Sequence, residues 1–105
     1  MKSSTLTLCQ AVARHFDVTV DDILSRDRSK AVAEARAVSM WLARSKLGMS
    51  YPELGREFVR DHSTCMSSVR KIENATGMLL ASARILSLQV VSPRIPLELV
   101  AVGAE

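Results

Sequence analysis

Asp61, His62, Ser63 and Thr64 follow one another and bring a carboxylate, an imidazole and two hydroxyls together. Those groups can build a catalytic triad, but triad members converge from separate segments, an arrangement that sequence neighbours do not supply. No Gly-x-Ser-x-Gly elbow, zinc-protease helix or glycine-rich nucleotide loop accompanies them. An enzyme is therefore not expected, and neither is a cofactor. A metal site is the second chemistry to weigh. His62 and Cys65 are three apart and on a helix can face one ion, with Cys9 and His15 as the remaining donors. Cys9 and His15 are six apart, off any tight chelating spacing, and no Cys-x-x-Cys occurs. Both cysteines fit better as small buried hydrophobes in a reducing compartment, and no metal is expected. The third chemistry is base reading, because small hydroxyls on a helix let its first turn approach base edges in a DNA groove.

Charge favours that third reading. Between Arg26 and Lys71 ten Lys and Arg face five Asp and Glu, whereas the remainder holds four basic and six acidic residues. A basic middle with slightly acidic flanks is the footprint of a polyanion binder, although a solvated surface produces a similar excess. The 105 residues suffice for one domain, and 48% of them are apolar, an ordinary globular composition. No apolar run approaches the roughly 20 residues that span a bilayer. Nor do the first residues look like a secretory signal. The sequence reads as soluble and cytoplasmic, with no membrane partner.

Helix punctuation recurs along the chain, and alternating strand patterns are scarce. Thr7 with Gln10 predicts a capping box opening a first helix that runs to about Phe16. Thr19 with Asp22 predicts a short second helix ending near Ser25, followed by a basic loop, Arg26-Asp27-Arg28-Ser29. A longer helix from about Lys30 to Leu47 carries Val32, Ala35, Val38 and Leu42 at helical spacing, with Gly48 as its C-cap. Ser50 and Glu53 predict another capping box around Pro52, opening a short helix with Tyr51, Leu54 and Phe58 on one face. Gly55 lies between them, where a missing side chain lets another helix come close. Val59-Arg60 forms a tight break, and Asp61 caps a helix of about a dozen residues. That helix is expected to turn Met66, Val69 and Ile72 inward and Thr64, Ser67, Ser68 and Lys71 outward. Thr76 is expected to cap a last helix from Gly77 to about Val90. Residues 91–105, with Pro93 and Pro96, read as an extended tail or an edge strand. The expectation is an all-α domain over residues 1–90, about six helices with a helix-turn-helix spanning 50–73.

The residues then become specific. Leu54-Gly55-Arg56-Glu57-Phe58, Arg60-Asp61-His62-Ser63-Thr64 and Arg70-Lys71-Ile72-Glu73 closely resemble the signature of the C-terminal DNA-binding domain (domain IV) of the bacterial replication initiator DnaA. The resemblance runs from about Leu8 to Glu73 and takes in Asp22-Ile23-Leu24-Ser25 and Met40-Trp41-Leu42-Ala43-Arg44. It implies a Trp-repressor-like all-α fold that reads the major groove of a short asymmetric box and reaches the adjacent minor groove with a basic loop. By the resemblance, Arg28 matches the minor-groove arginine, and Asp61, His62, Ser63 and Thr64 match residues entering the major groove, with Ser67 further along the same face. Lys30, Arg44, Arg60 and Lys71 match phosphate-gripping positions, and Pro52 sits in the turn that abuts the backbone. Arg36 matches a basic family position on a packed helix, where it is partly structural.

Three departures from the family pattern stand out. The break between Phe58 and Arg60 is one residue shorter and holds only Val59, without the usual glycine. Asp27 and Glu34 make the loop region less basic. Cys65, Ser67 and Ser68 replace aliphatic and other small residues. The Gly-x-x-x-x-Gly-Lys-Ser/Thr run of the initiator's ATPase module does not occur, so no nucleotide is expected as a partner. The expected function is sequence-specific binding of double-stranded DNA at DnaA-box-like sites, as a stand-alone, nucleoid-associated regulator of replication or transcription. The alternative is a protein-interaction or dimerisation module that has lost specific readout. Leu79, Leu80, Ile85, Leu86 and Leu88 make the last helix unusually apolar, and a homodimer through it and the tail would bind paired half-sites. Single-stranded RNA is a weaker expectation, since stacking needs exposed aromatics and Phe16, Trp41 and Phe58 fall on core positions.

Overall fold

The computed structural model describes residues 1–90, and the expected tail lies outside them. Six helices follow one another: α1 (Ser3–Phe16), α2 (Val20–Leu24), α3 (Lys30–Leu47), α4 (Tyr51–Phe58), α5 (His62–Glu73) and α6 (Gly77–Gln89). No strand occurs among the described residues. The described residues are all-α, as the sequence predicts for residues 1–90.

Local side-chain caps set three of the six helix starts. Thr19 accepts the Asp22 amide N–H at 3.0 Å while Asp22 accepts that of Thr19 at 3.1 Å. Ser50 and Glu53 repeat the reciprocal pair at the start of α4, with Pro52 in the first turn where its missing N–H costs nothing. Asp61 caps α5 through the Ser63 amide at 3.2 Å. Gly48 ends α3 at φ 68°, the left-handed region open to a residue without Cβ.

Two caps differ from expectation. Helix α1 begins at Ser3, four residues before Thr7, whose hydroxyl bonds back to the Ser3 carbonyl at 3.0 Å. Its first turn is held from outside instead, because the Lys2 amide donates to Glu57 Oε1 of α4 at 2.9 Å and Lys2 Nζ lies 3.6 Å from Glu53. Thr76 precedes α6 as predicted, but its side chain makes no capping hydrogen bond.

Helix α3 is the spine and touches every other helix. It buries Val32, Ala35, Ala37, Val38, Met40, Leu42 and Ala43 around its circumference. Leu8 and Val12 of α1, Ile23 of α2, Leu54 and Phe58 of α4 and Leu86 of α6 complete one core. Fully burying side chains of this size stabilises the fold by about 1.5–3 kcal/mol each. Helix α5 turns Cys65, Val69 and Ile72 inward, positions that follow the i, i+4, i+7 stripe of an amphipathic helix. Cys65 takes the inner place expected for Met66, which is half-buried.

Candidate nucleic-acid interface

The turn between α4 and α5 is unusually tight. Val59 closes α4 with φ 54°, a strained conformation for a β-branched residue. The Arg60 amide then folds back onto the Gly55 carbonyl at 2.9 Å. The chain passes so close that a Cβ on Gly55 would stand 2.7 Å from the Arg60 carbonyl oxygen. This crossing sets the angle between the two helices and leaves the first turn of α5 projecting.

His62, Ser63, Thr64 and Ser67 are exposed on that helix. Asp61 is both cap and charge. It accepts from the Ser63 hydroxyl and amide, and those bonds, aided by the neighbouring His62, hold its carboxyl below the usual range. Ser67 donates to the Ser63 carbonyl at 3.1 Å, which leaves its oxygen lone pairs to accept from a base.

Beside α5, the loop between α2 and α3 closes a cleft of about 330 Å³ lined by Arg26, Arg28, Arg36, Arg60, Thr64, Ser68 and Lys71. Five side chains there are cationic, and two hydroxyls face them. Asp27 is folded into the loop, accepting the Ser29 amide at 2.8 Å, which keeps its carboxyl below the usual range. The cleft therefore joins the expected minor-groove residue Arg28 to the outer face of the expected recognition helix.

Other expected contacts lie elsewhere. Lys30 borders a separate groove with His15, Glu34 and Met78. Arg44 is exposed at the end of α3, where it donates to the Met49 carbonyl at 3.0 Å and stacks 4.1 Å over the Tyr51 ring. Pro52 is exposed at the start of α4. Arg60 lines the cleft, and its guanidinium donates to the Phe58 carbonyl at 3.2 Å, the Val59 carbonyl at 3.1 Å and the Ser25 carbonyl. Arg36 does prove structural. It collects the carbonyls of Ile23, Asp22, Ser25 and Asp27 at 2.7 to 3.2 Å, which satisfies the end of α2. Arg26 and Ser68 join the cleft without having been expected as contacts. Arg26 shares its loop with Arg28, and Ser68 stands one helical turn after Thr64, so both were within reach of the sequence.

Cys65 is buried and His62 exposed, so they do not form the pair that a shared metal would need. Among the described residues no group of three or more His, Cys, Asp or Glu could hold a metal ion. Nor is any described helix long and apolar enough to cross a membrane.

A six-helix fold with a tight turn, a hydroxyl-faced second helix and a basic cleft beside it defines a helix-turn-helix domain of the DNA-binding class. Comparison with known proteins makes this particular. The model of the bacterial DnaA protein helix-turn-helix matches residues 7–72, well over half the chain. This chain belongs to that family, whose domain is a DNA-binding module. The chromosomal replication initiator protein DnaA of Brucella abortus is 45% identical over 67 residues, covering 63% of this chain and 14% of that protein. Its counterpart in Bartonella quintana is 47% identical over 66 residues, 62% of this chain and 13% of that protein. A solved structure described as a DNA replication initiation factor superposes with a TM-score of 0.74 at 31% identity, covering 83% of this chain and 28% of the other. The chain thus spans about one-seventh of the length of the initiators it matches.

Proposed function

We propose that this chain binds double-stranded DNA sequence-specifically at sites resembling DnaA boxes. The observation that carries the reading is the cleft joining Arg26 and Arg28 to Thr64, Ser68 and Lys71. Helix α5 enters the major groove, where Asp61, His62, Ser63, Thr64 and Ser67 meet base edges and adjoining phosphates. Arg28 reaches into the neighbouring minor groove, whose negative potential is enhanced where it narrows over A·T-rich sequence. Lys71 and Arg44 grip phosphates on either side, Pro52 abuts the backbone, and Lys30 supplies positive charge from the far side of the loop. The role that follows is regulation of replication or transcription by occupancy, on the nucleoid.

Fluorescence anisotropy against a duplex with a DnaA-type box and a scrambled duplex, each titrated with salt, tests this. A preference of about a thousandfold for the box at physiological salt is expected. Thr64→Ala should cost about 1–3 kcal/mol on the box and relax its sequence choice, whereas Arg44→Ala should weaken both duplexes alike and flatten the salt dependence. Equal binding of the two duplexes by the unaltered protein would reject specific readout.

One observation favours a second reading. Met78 and Leu88 of α6 are each 86% exposed, more apolar surface than core closure requires. A dimer formed through α6 would select paired, symmetric half-sites, whereas a monomer selects single asymmetric boxes. The symmetry of selected sequences discriminates the two.

A further inference from the structure

Arg60, like Arg36, differs from the other cations lining the cleft in that its head group is already engaged. Nη1 spans the Phe58 and Val59 carbonyls of the turn, at 3.2 and 3.1 Å, and Nη2 reaches across to the Ser25 carbonyl. Arg36 converges on the same Ser25 oxygen from α3, at 2.7 Å. Two guanidiniums sharing one acceptor repel each other. Burial, and then this neighbouring Arg60, push the Arg36 guanidinium below its ordinary pKa, with Asp27 offsetting part of the effect. The repulsion is offset because each head gathers several carbonyls, Arg36 those of Asp22, Ile23, Ser25 and Asp27 and Arg60 those of Phe58, Val59 and Ser25.

The carbonyls come from two segments with different tasks. Ser25 begins the loop that carries Arg26 and Arg28, and Phe58 and Val59 form the turn that aims α5. Hydrogen bonds from Asp27 N–H to Ser25 Oγ (3.1 Å) and from Ser29 N–H to Asp27 Oδ1 (2.8 Å) shape the loop internally without attaching it to anything. Arg36 attaches it to α3. Arg60 alone, among the side-chain hydrogen bonds of the described residues, ties it to the helix-turn-helix.

We propose that Arg60 is a positioning residue: it latches the minor-groove loop to the turn before the recognition helix, fixing the register in which the two read one site, and does not itself grip a phosphate. This rests on the DNA-binding reading of Arg28 given above. Holding the loop in place before DNA arrives removes an ordering cost that a free loop would meet on binding. Its effect on affinity is therefore routed through Arg28.

Arg60→Lys keeps the charge and replaces the fork with a single ammonium that cannot span both segments. In the free variant, NMR order parameters at residues 26–29 should fall to about 0.6 or below, while those of α3 stay near 0.85. On the box duplex the variant should lose about tenfold in affinity. Combining it with Arg28→Ala should cost no more than Arg28→Ala alone, the non-additivity of residues acting as a unit. Additive losses, together with a salt slope lowered by about one in Arg60→Gln, would instead mark Arg60 as a phosphate contact and overturn the proposal. So would unchanged order parameters at 26–29. If the unaltered protein shows no box preference, the DNA reading fails and the order parameters still decide the latch. Should Arg60→Lys not fold, the unaltered protein decides. Restricted Arg60 guanidinium rotation before DNA addition and no change after it supports the latch, and ordering only on DNA addition overturns it.

Discussion

Replacing Val59 with glycine should stabilise the protein, although glycine ordinarily weakens a folded chain. Val59 sits at φ 54°, and a non-glycine residue held there stores about 1–3 kcal/mol, with β-branching placing valine at about 2. Glycine releases that strain. It also enlarges the freedom of the unfolded chain, at a cost of about 0.4–1 kcal/mol. Val59 is 72% exposed, so the burial forfeited is roughly 0.5 kcal/mol. The balance is a gain of about 1 kcal/mol, which in a domain of this size raises Tm by about 4–8 °C. Reversible thermal unfolding followed by circular dichroism at 222 nm reads the shift directly. Val59→Ala is the informative companion, since alanine keeps a Cβ in the left-handed region and should recover only part of the gain. A Tm for Val59→Gly equal to or below that of the unaltered protein would refute the strain assignment. If Val59→Ala matched Val59→Gly, branching rather than handedness would be the source.

Gly55→Ala should act in the opposite direction: helix propensity favours alanine by about 1 kcal/mol, but its Cβ would stand 2.7 Å from the Arg60 carbonyl, and such overpacking costs about 1–3. A net loss near 1 kcal/mol by chemical denaturation is expected, and a rise in stability would show that the turn yields freely. Acid should weaken the fold. Glu57, held down chiefly by the Lys2 amide, and Glu53, held down by the Ser50 amide and hydroxyl, both lie below the ordinary value of 4.5 in the folded chain. Groups depressed in this way lend stability that is fully present above their unfolded pKa and lost as pH falls through the folded one, so urea midpoints should hold between pH 7 and 5 and drop below about pH 4. Glu57→Gln should blunt that drop, and an equally steep fall in the variant would remove Glu57 from the account. Burial lifts the Cys9 thiol to about 11, against a smaller opposing effect of the Ser39 hydroxyl, and raises Cys65 as well. Ellman's reagent at pH 8 should therefore titrate neither thiol in the native protein and both of the chain's 2 cysteines in guanidinium; rapid native labelling would contradict the packing.

What the sequence made legible was local. The Thr19–Asp22 and Ser50–Glu53 caps, the Asp61 cap and the Gly48 terminus each depend on residues within a turn of one another, and each falls where the spacing places it. The start of helix α1 escaped because its first turn is tied to Glu57, 55 positions away, and no local pattern announces such a partner. At α5 the spacing itself favours Cys65, which stands at i, i+4 and i+7 with Val69 and Ile72, and the greater apolarity of Met66 masked that signal. For the cations, a sequence gives charge but not the direction of the head group. Arg60 turns inward to three carbonyls and Lys30 faces a different groove, whereas Arg28 and Lys71 meet across the cleft with Thr64.

The position of α3 has a consequence for how small a working piece of this protein can be. Helices α4 and α5 carry the motif that makes the family recognisable, yet Leu54, Phe58, Cys65, Val69 and Ile72 are all buried in the core that α3 organises. Cut out as a peptide, residues 50–73 would expose that entire face, and helices of 8 and 12 residues are too short to persist alone in water. The helix-turn-helix is thus shorter than the unit that folds. Grafting the α5 outer face onto another scaffold would have to reproduce the whole bundle beneath it, or recreate its floor with different helices.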